Sequence, residues 1–129
     1  MNGKYLLDTN IVIALFAQET SVQQQLANTT ETFIPSVVIG ELYYSAYKSA
    51  RVAANVSRID QFAAGNTVLE CDTATAKEYG QIKNGLRAKG KPIPENDIWI
   101  AAIAIQYQLT LVTRDGHFGE VDRLAIETW

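Results

Sequence analysis

Sulfur and imidazole side chains are nearly missing from this sequence, which contains one cysteine, Cys71, and one histidine, His117. A single cysteine excludes an intrachain disulfide and a cysteine-rich zinc site, and it fits a reducing cytosol. Cys71 ends a predicted strand, so we expect it to pack in the core. A Ser-His-Asp triad would have to use His117, but no nearby segment resembles a nucleophile elbow. We therefore interpret His117 as either a loop residue or a residue at the edge of a metal site, without chemistry of its own.

Long apolar runs are missing as well. The three residues between Lys4 and Asp8 are too few for the core of a signal peptide. The longest clear run, "IWIAAIAI" at 98–105, is far shorter than the ~20 residues that cross a bilayer. Because 47% of the 129 residues are hydrophobic, the chain can bury a core of its own. We expect a single domain over 1–129 that is soluble, cytoplasmic and without membrane contact.

Positive charge is also scarce, since 11 Lys and Arg residues stand against 14 Asp and Glu residues, for a net charge of −3. This balance argues against a general nucleic-acid coat protein, which would be basic. No acidic residue lies between Glu78 and Glu95, however. That segment carries four cations: Lys83, Arg87, Lys89 and Lys91. On its own, such a run indicates a solvated helix end, where cations interact favourably with the helix dipole.

Short apolar segments alternate with longer helical patterns along the chain. Strands are predicted at 4–7, 32–35, 66–71, 109–113 and 125–129. Helices are predicted at 11–16, 22–27, 37–49, 51–64, 73–89 and 97–108, with Ser36 and Asp72 as two of the N-caps. This alternation predicts a parallel sheet covered by helices on both faces. The functional crevice of such a sheet lies beyond the carboxyl ends of its strands.

Four acidic residues fall near those strand ends. Asp8 ends the first strand, and Asp115 follows the strand "LTLVT" at 109–113. Asp97 opens the helix that leads to this second strand, and Glu41 lies in the second turn of the helix after "TFIP". Each has an ordinary interpretation: a helix cap for Asp8, a dipole partner for Asp97, a turn residue for Asp115 and a solvated face for Glu41. In a parallel sheet, all four would lie near one edge.

Asp97 is the most informative of the four, because its helix is apolar almost all round and is expected to be buried. Small residues, Ala101 and Ala104, lie on its face, and no Lys or Arg occurs between Pro92 and Val112. A buried carboxylate needs a cation or a proton. Oxygen ligands without a local His or Cys point to Mg²⁺ or Mn²⁺ rather than zinc. Such ions promote phosphodiester hydrolysis.

Four segments in this order resemble the signature segments of PIN-domain ribonucleases, and more narrowly those of VapC toxins. They are "LLDTNIVI", "SVVIGELYYSA", "NDIWIAAIAI" and "LVTRDGHF". The resemblance implies a three-layer α/β/α sandwich with a parallel sheet. It implies an endoribonuclease that depends on Mg²⁺ or Mn²⁺ and is the toxin of a toxin–antitoxin pair. It also implies a homodimer and inhibition by a VapB-like antitoxin whose tail enters the active-site groove.

The resemblance assigns roles to individual positions. The catalytic acids of the family correspond to Asp8, Glu41, Asp97 and Asp115. Asp8 and Asp97 would bind the metal, with Glu41 and Asp115 binding directly or through water. The supporting polar positions correspond to Asn10 and Thr113. With RNA as the substrate, the basic segment defined by Lys83, Arg87, Lys89 and Lys91 is predicted to hold phosphates at the rim of the site.

Other interpretations remain open at this level. A housekeeping PIN nuclease in RNA processing would have the same chemistry, and an antitoxin gene immediately upstream would separate the two. A phosphatase would need Asp in place of Asn10, and a receiver domain would need a Lys after "LVT". A catalytically inactive binding module is disfavoured by the intact acidic positions. The aromatic residues at helical spacings are predicted to form the core or a dimer face rather than stack on bases: Tyr43, Tyr44, Tyr47, Trp99 and Tyr107.

Overall fold

The computed structural model describes residues 3–29 and 31–129, and positions 1, 2 and 30 of the predicted domain lie outside that part. Five strands form one parallel sheet in the described residues, in the order β3-β2-β1-β4-β5. The strands are β1 (Lys4–Leu7), β2 (Glu31–Pro35), β3 (Thr67–Leu69), β4 (Thr110–Val112) and β5 (Ile126–Glu127). The helices are α1 (Thr9–Phe16), α2 (Thr20–Ala27), α3 (Ser36–Tyr47), α4 (Val52–Ala64), α5 (Thr73–Lys89), α6 (Glu95–Gln106) and a 3-10 helix (Gly116–Glu120). The predicted α/β class, a three-layer α/β/α sandwich with a parallel sheet, is confirmed.

The centre of the sheet is buried on both faces. Leu6 and Leu7 of β1 and Leu111 and Val112 of β4 are at most 2% exposed. Parallel strands are joined by helical crossovers that cover the faces, which is why these strands lack polar alternation. Pairing continues one residue past β1, because the backbone N–H of Asp8 donates to Val112 O at 3.0 Å. The carboxyl ends of β1 and β4 are therefore held side by side.

Helix α6 packs against α5 and contributes much of the core. It begins at Glu95, two residues before the predicted start, so Asp97 lies in its first turn. Ala101 and Ala104 are fully buried, as expected for small residues at a close helix contact. In residues 3–29 and 31–129, no helix has the length and hydropathy needed to cross a membrane.

The two predicted N-caps have different outcomes. Asp72 caps α5 as predicted, since Thr75 N donates to Asp72 Oδ1 and Asp72 N donates to Thr75 Oγ1, each at 3.0 Å. Ser36, the other predicted cap, is instead the first residue of α3, with Pro35 at the cap position and no side-chain capping bond. The reason is that β2 runs to Pro35 and the helix follows at once, which leaves no separate cap residue.

The prediction that Cys71 packs in the core is wrong, and the prediction for the aromatic residues is narrowed. Cys71 is exposed, because edge strand β3 ends at Leu69 and the chain leaves the sheet before it reaches the cysteine. Three of the aromatic residues predicted as core or dimer face are exposed, with Tyr44 at 67%, Tyr47 at 63% and Tyr107 at 42%. These three are not core residues, and their place in a dimer face stays a prediction.

Candidate active site

Asp8 lies where β1 passes into α1, and it is the N-cap of that helix. Thr9 N donates to Asp8 Oδ1 at 2.8 Å, and Thr113 Oγ1 donates to Oδ2 at 2.7 Å. Asn10 Nδ2 donates to the same Oδ2 at 3.4 Å. Asp8 is 5% exposed, and burial raises its pKa above the ordinary value although the bonds from Thr113 and Thr9 oppose this. Asp8 is therefore both a helix cap and a buried carboxylate at the carboxyl end of the central strand β1.

Thr113 connects Asp8 to the turn that follows β4. Its side chain is buried, and while its hydroxyl donates to Asp8, it accepts a bond from Asp115 N at 3.0 Å. Arg114 N in the same turn donates to Asn10 Oδ1 at 3.3 Å. The two predicted supporting residues, Asn10 and Thr113, thus contact both Asp8 and the turn. Together they bring Asp115 close enough to Asp8 for its charge to contribute to the raised pKa of Asp8.

His117 lies between Asp115 and Asp97. Its Nδ1 is 2.8 Å from Asp115 Oδ1, and its Nε2 is 3.6 Å from Asp97 Oδ2. One ligand atom from each of the three residues lies within 4.8 Å of the other two. The Asp97 side chain is 14% exposed and the His117 side chain 42%, so the group opens to solvent on the histidine side.

The electrostatic environment of Asp97 links the four acids. Burial, with the charges of Asp8, Asp115 and Glu41, raises the pKa of Asp97 to about 6, against an opposing effect of His117. Like charges held close together disfavour ionisation in this way, and a bound cation would relieve the repulsion. The structure thus brings all four acidic residues singled out in the sequence to one place.

Glu41 lies on helix α3 and is joined to the start of α1. Thr9 Oγ1 donates to Glu41 Oε1 at 2.8 Å, which joins α3 to the start of α1. Glu41 and Thr9 line an open cavity of about 660 Å³ together with Asn96 and the exposed Tyr44. Glu41 therefore lies at the boundary between the acidic cluster and an open groove.

The donor set fits a divalent metal ion. Carboxylate oxygens suit hard cations such as Mg²⁺ and Mn²⁺. Among the ion pairs of the described ranges, the four carboxylates pair only with His117. The position of His117 also corrects one premise of the sequence argument, which assumed that no histidine was near the cluster. The expected exclusion of zinc loses its basis, because an imidazole nitrogen suits zinc and other transition-metal ions.

The basic segment does not form one continuous surface. Lys83 Nζ lies 3.1 Å from Glu95 Oε2, at the start of α6. Lys89 Nζ lies 2.9 Å from Asp122 Oδ1 and donates to Glu120 O at 2.7 Å, beyond the 3-10 helix. Lys83 and Arg87 line one surface cavity of about 400 Å³. Lys89 lines a different cavity of about 230 Å³.

Sequence reasoning treated His117 as a residue without chemistry, and the structure brings it into contact with two acids. The available signal was its spacing, since it follows Asp115 by two residues in a turn at the carboxyl end of a strand. The contact itself depends on the 3-10 helix, which was not predicted. His117 N donates to Asp115 Oδ1 at 3.1 Å, and this bond turns the imidazole back toward the cluster.

Comparison with known proteins agrees with this geometry. Residues 5–124 match the model of the PIN domain family. Ribonuclease VapC2 of Haemophilus influenzae is 36% identical over 129 residues, and the tRNA(fMet)-specific endonuclease VapC of Shigella flexneri is 35% identical, with 98% of each chain covered in both cases. VapBC2 from Rickettsia felis, in a crystal structure bound to a DNA fragment from its promoter, superposes with a TM-score of 0.90 at 31% identity and covers 98% of both chains. With the signature acids gathered at the carboxyl edge of a parallel sheet and likeness along nearly its whole length, the chain belongs to the PIN-domain family and, within it, to the VapC ribonucleases.

Proposed function

We propose that this protein is an endoribonuclease that depends on Mg²⁺ or Mn²⁺ and acts as the toxin of a toxin–antitoxin pair. One observation carries the proposal: the half-buried carboxylate of Asp97, whose pKa is about 6, faces other acids at the carboxyl edge of a parallel sheet. A cluster of this kind is costly to the apo protein and useful to a metal enzyme. VapC relatives named as ribonucleases supply the substrate class.

The proposed metal ligands are Asp8 and Asp97, with Glu41 and Asp115 binding directly or through water. When bound, the divalent ion polarises the scissile phosphate and lowers the pKa of a water molecule. Thr113 holds Oδ2 of Asp8, which keeps the carboxylate plane fixed in the way that metal ligands require.

Glu41 has a separate role in the proposal. Its Oε1 accepts a bond from Thr9, so Oε2 remains to take a proton from the attacking water. The groove beside Glu41 has a volume of about 660 Å³ and is also lined by Asn96 and Tyr44, and it is where we place the RNA strand. The negatively charged acids repel the phosphates of RNA, so a bound cation is also needed for the RNA to approach the site.

The partners follow from the relatives. Solved VapBC complexes from Rickettsia felis and Salmonella typhimurium support a VapB-like antitoxin as the inhibitor of this chain. A homodimer in the cytoplasm is the proposed form of the toxin.

The basic segment is proposed to bind the RNA backbone. Lys83 and Lys89 would exchange their carboxylate partners for RNA phosphates, with Arg87 and Lys91 in the same segment.

The test is a map of cleavage sites on total RNA after brief induction of the protein in cells. Wild type should produce discrete new RNA ends and arrest growth, and Asp97→Asn should produce neither. Co-expression of the gene immediately upstream should restore growth if that gene encodes the antitoxin. RNA processing without growth arrest would favour a housekeeping nuclease, and the absence of any new RNA end would favour an inactive binding module.

A further inference from the structure

His117 is an exposed residue with the surroundings of a metal ligand. Its Nδ1 is 2.8 Å from Asp115 Oδ1, within hydrogen-bonding distance, and its Nε2 faces Asp97 Oδ2 at 3.6 Å. Bonds of about 2.1 Å to a shared ion separate neighbouring ligand atoms by roughly 3.0–3.5 Å. The observed distance between Nε2 and Oδ2 is thus close to that of two ligands of one ion.

The orientation of the ring matches the arrangement in which a carboxylate supports a metal-binding histidine. A ligating imidazole usually donates its second ring N–H to a carboxylate, which sets the tautomer and makes the free nitrogen more basic. Asp115 occupies that supporting position at Nδ1, so in the metal-bound form the proton belongs on Nδ1. The lone pair of Nε2 is then the one on the side of Asp97.

The backbone around His117 is held in place before any metal binds. His117 N donates to Asp115 Oδ1, and Asp115 N donates to the buried Thr113. The next residue, Phe118, is fully buried and fixes the 3-10 helix to the core. The side chain of His117 is nevertheless 42% exposed, so water or an RNA phosphate can reach an ion bound there.

We propose that His117 Nε2 and Asp97 bind a divalent transition-metal ion of the Mn²⁺-to-Zn²⁺ series, with Asp115 orienting the imidazole. An imidazole ligand selects against Mg²⁺, which prefers oxygen and holds its waters. Among the first-row ions, the affinity of such a site is lowest for Mn²⁺ and higher for Zn²⁺, and imidazole suits Zn²⁺ best of the three ions considered. The site therefore prefers Mn²⁺ to Mg²⁺ and also accepts Zn²⁺. This inference deepens the proposed function and rests on it, because the same acids hold the ion.

The ring nitrogens can be observed directly, because His117 is the sole histidine of the sequence. In untagged protein labelled with ¹⁵N in the histidine ring, a Zn²⁺ titration should shift the Nε2 resonance strongly while Nδ1 keeps its proton. With bound Mn²⁺, pulsed electron paramagnetic resonance should detect coupling to a directly bound ¹⁴N in unlabelled protein. Unchanged ring resonances, binding through Nδ1 or the lack of nitrogen coupling would each overturn the inference.

Calorimetric titration of His117→Gln gives a second, independent readout. The variant should lose about tenfold or more in affinity for Mn²⁺ and Zn²⁺, with a much smaller change for Mg²⁺. Asp115→Asn, which keeps the shape but weakens the support of the ring, should lower the same two affinities by a smaller factor. Equal losses of affinity for Mg²⁺ and Mn²⁺ would contradict selection by the imidazole. Circular dichroism of each metal-free variant checks that the variant is folded.

Failure of this inference and failure of the proposed function give different results. If wild type binds Mn²⁺ and cleaves RNA but shows no nitrogen coupling, only the role of His117 is wrong. If wild type binds none of the three ions, both proposals fail. If Asp97→Asn binds Mn²⁺ as tightly as wild type, the ion lies elsewhere and both proposals fail as well.

Discussion

Thr113 Oγ1 donates a 2.7 Å hydrogen bond to Asp8 Oδ2 across 105 residues of sequence. The same hydroxyl accepts from Asp115 N at 3.0 Å. One buried side chain thus holds two acids from different parts of the chain, which repel each other, at a fixed separation. Replacing Thr113 therefore tests whether its hydroxyl is needed to hold the acidic site together.

Thr113→Val, which keeps the shape and removes the hydroxyl, should destabilise the protein at neutral pH. The bond goes to a buried carboxylate, so the loss should be about 1.5–3 kcal/mol in the free energy of unfolding. The bond also lowers the pKa of Asp8, so its removal should raise that pKa further and weaken divalent metal binding. Chemical denaturation and metal titration measure the two effects.

Thr110→Val is the matched control, because Thr110 begins the strand that Thr113 follows and has no side-chain bond to an acid of the site among the described residues. It should leave metal affinity unchanged. Equal effects of the two variants on metal affinity would mean that strand β4 is sensitive to any Thr-to-Val change, and the hydroxyl of Thr113 would have no special role.

Asp97→Asn should raise the stability of the metal-free protein at about pH 7.5. The pKa of Asp97 is about 6 in the fold against an ordinary value of 3.8, so the folded state binds this proton more tightly than the unfolded state. Stability is therefore lost as pH rises through this window, by about 3 kcal/mol for this group alone. The neutral amide escapes that loss, so thermal melts of variant and wild type should differ at about pH 7.5 and converge below about pH 4.

RNA cleavage by Asp97→Asn should fall to background, because the change removes a metal charge while preserving shape. Glu70→Gln, at an exposed position, removes one negative charge elsewhere on the surface. It should retain cleavage and show little gain in stability. A gain equal to that of Asp97→Asn would assign the stabilisation to net charge instead of local repulsion.

Divalent metal should stabilise the wild-type protein against unfolding. Four converging acids favour cation binding, and a ligand at about 100 times its dissociation constant adds about 2.7 kcal/mol. Melting temperatures should rise along Mn²⁺ and Mg²⁺ titrations, and EDTA should reverse the rise and stop cleavage. Cleavage that persists in EDTA, together with constant melting temperatures, would reject the metal-dependent mechanism.

The basic segment can be tested in two halves, because the structure separates them. Lys83→Gln with Arg87→Gln changes the cavity beside Glu95 and α6. Lys89→Gln changes the side toward Asp122, and Lys91→Gln is added to complete the segment. Each half that holds RNA should reduce the salt dependence of binding by a slope of about 0.7 for every phosphate that the variant no longer neutralises. Filter binding over a range of salt concentrations measures the slope.

Metal affinity should stay the same in both double variants, since Lys83 and Lys89 pair with carboxylates outside the acidic cluster. If both variants bind RNA with the wild-type slope, the segment is a solvated helix end whose cations serve Glu95 and Asp122, and the RNA surface lies elsewhere.

The acids of the site were predictable from local sequence, and their partners were not. Asp8 and Asp115 follow apolar strand segments, and parallel strands end at one edge, so their meeting followed from a general rule of sheet geometry. The contact between Asp97 and His117 depends on the direction in which α6 and the 3-10 helix pack, which no local pattern specifies. The same holds for Lys83 and Lys89, whose carboxylate partners come from separate segments.

Periodicity, capping residues and strand ends were enough to predict the alternation of strands and helices, the parallel sheet and the four acids. The orientation of the side chains around those acids depends on how the elements pack in three dimensions. Cys71 is exposed because β3 stops at Leu69, and His117 faces the cluster because a buried Phe118 and a bond to Asp115 turn it there. Side-chain direction is set by packing between distant segments, and this is the information that one-dimensional patterns lack.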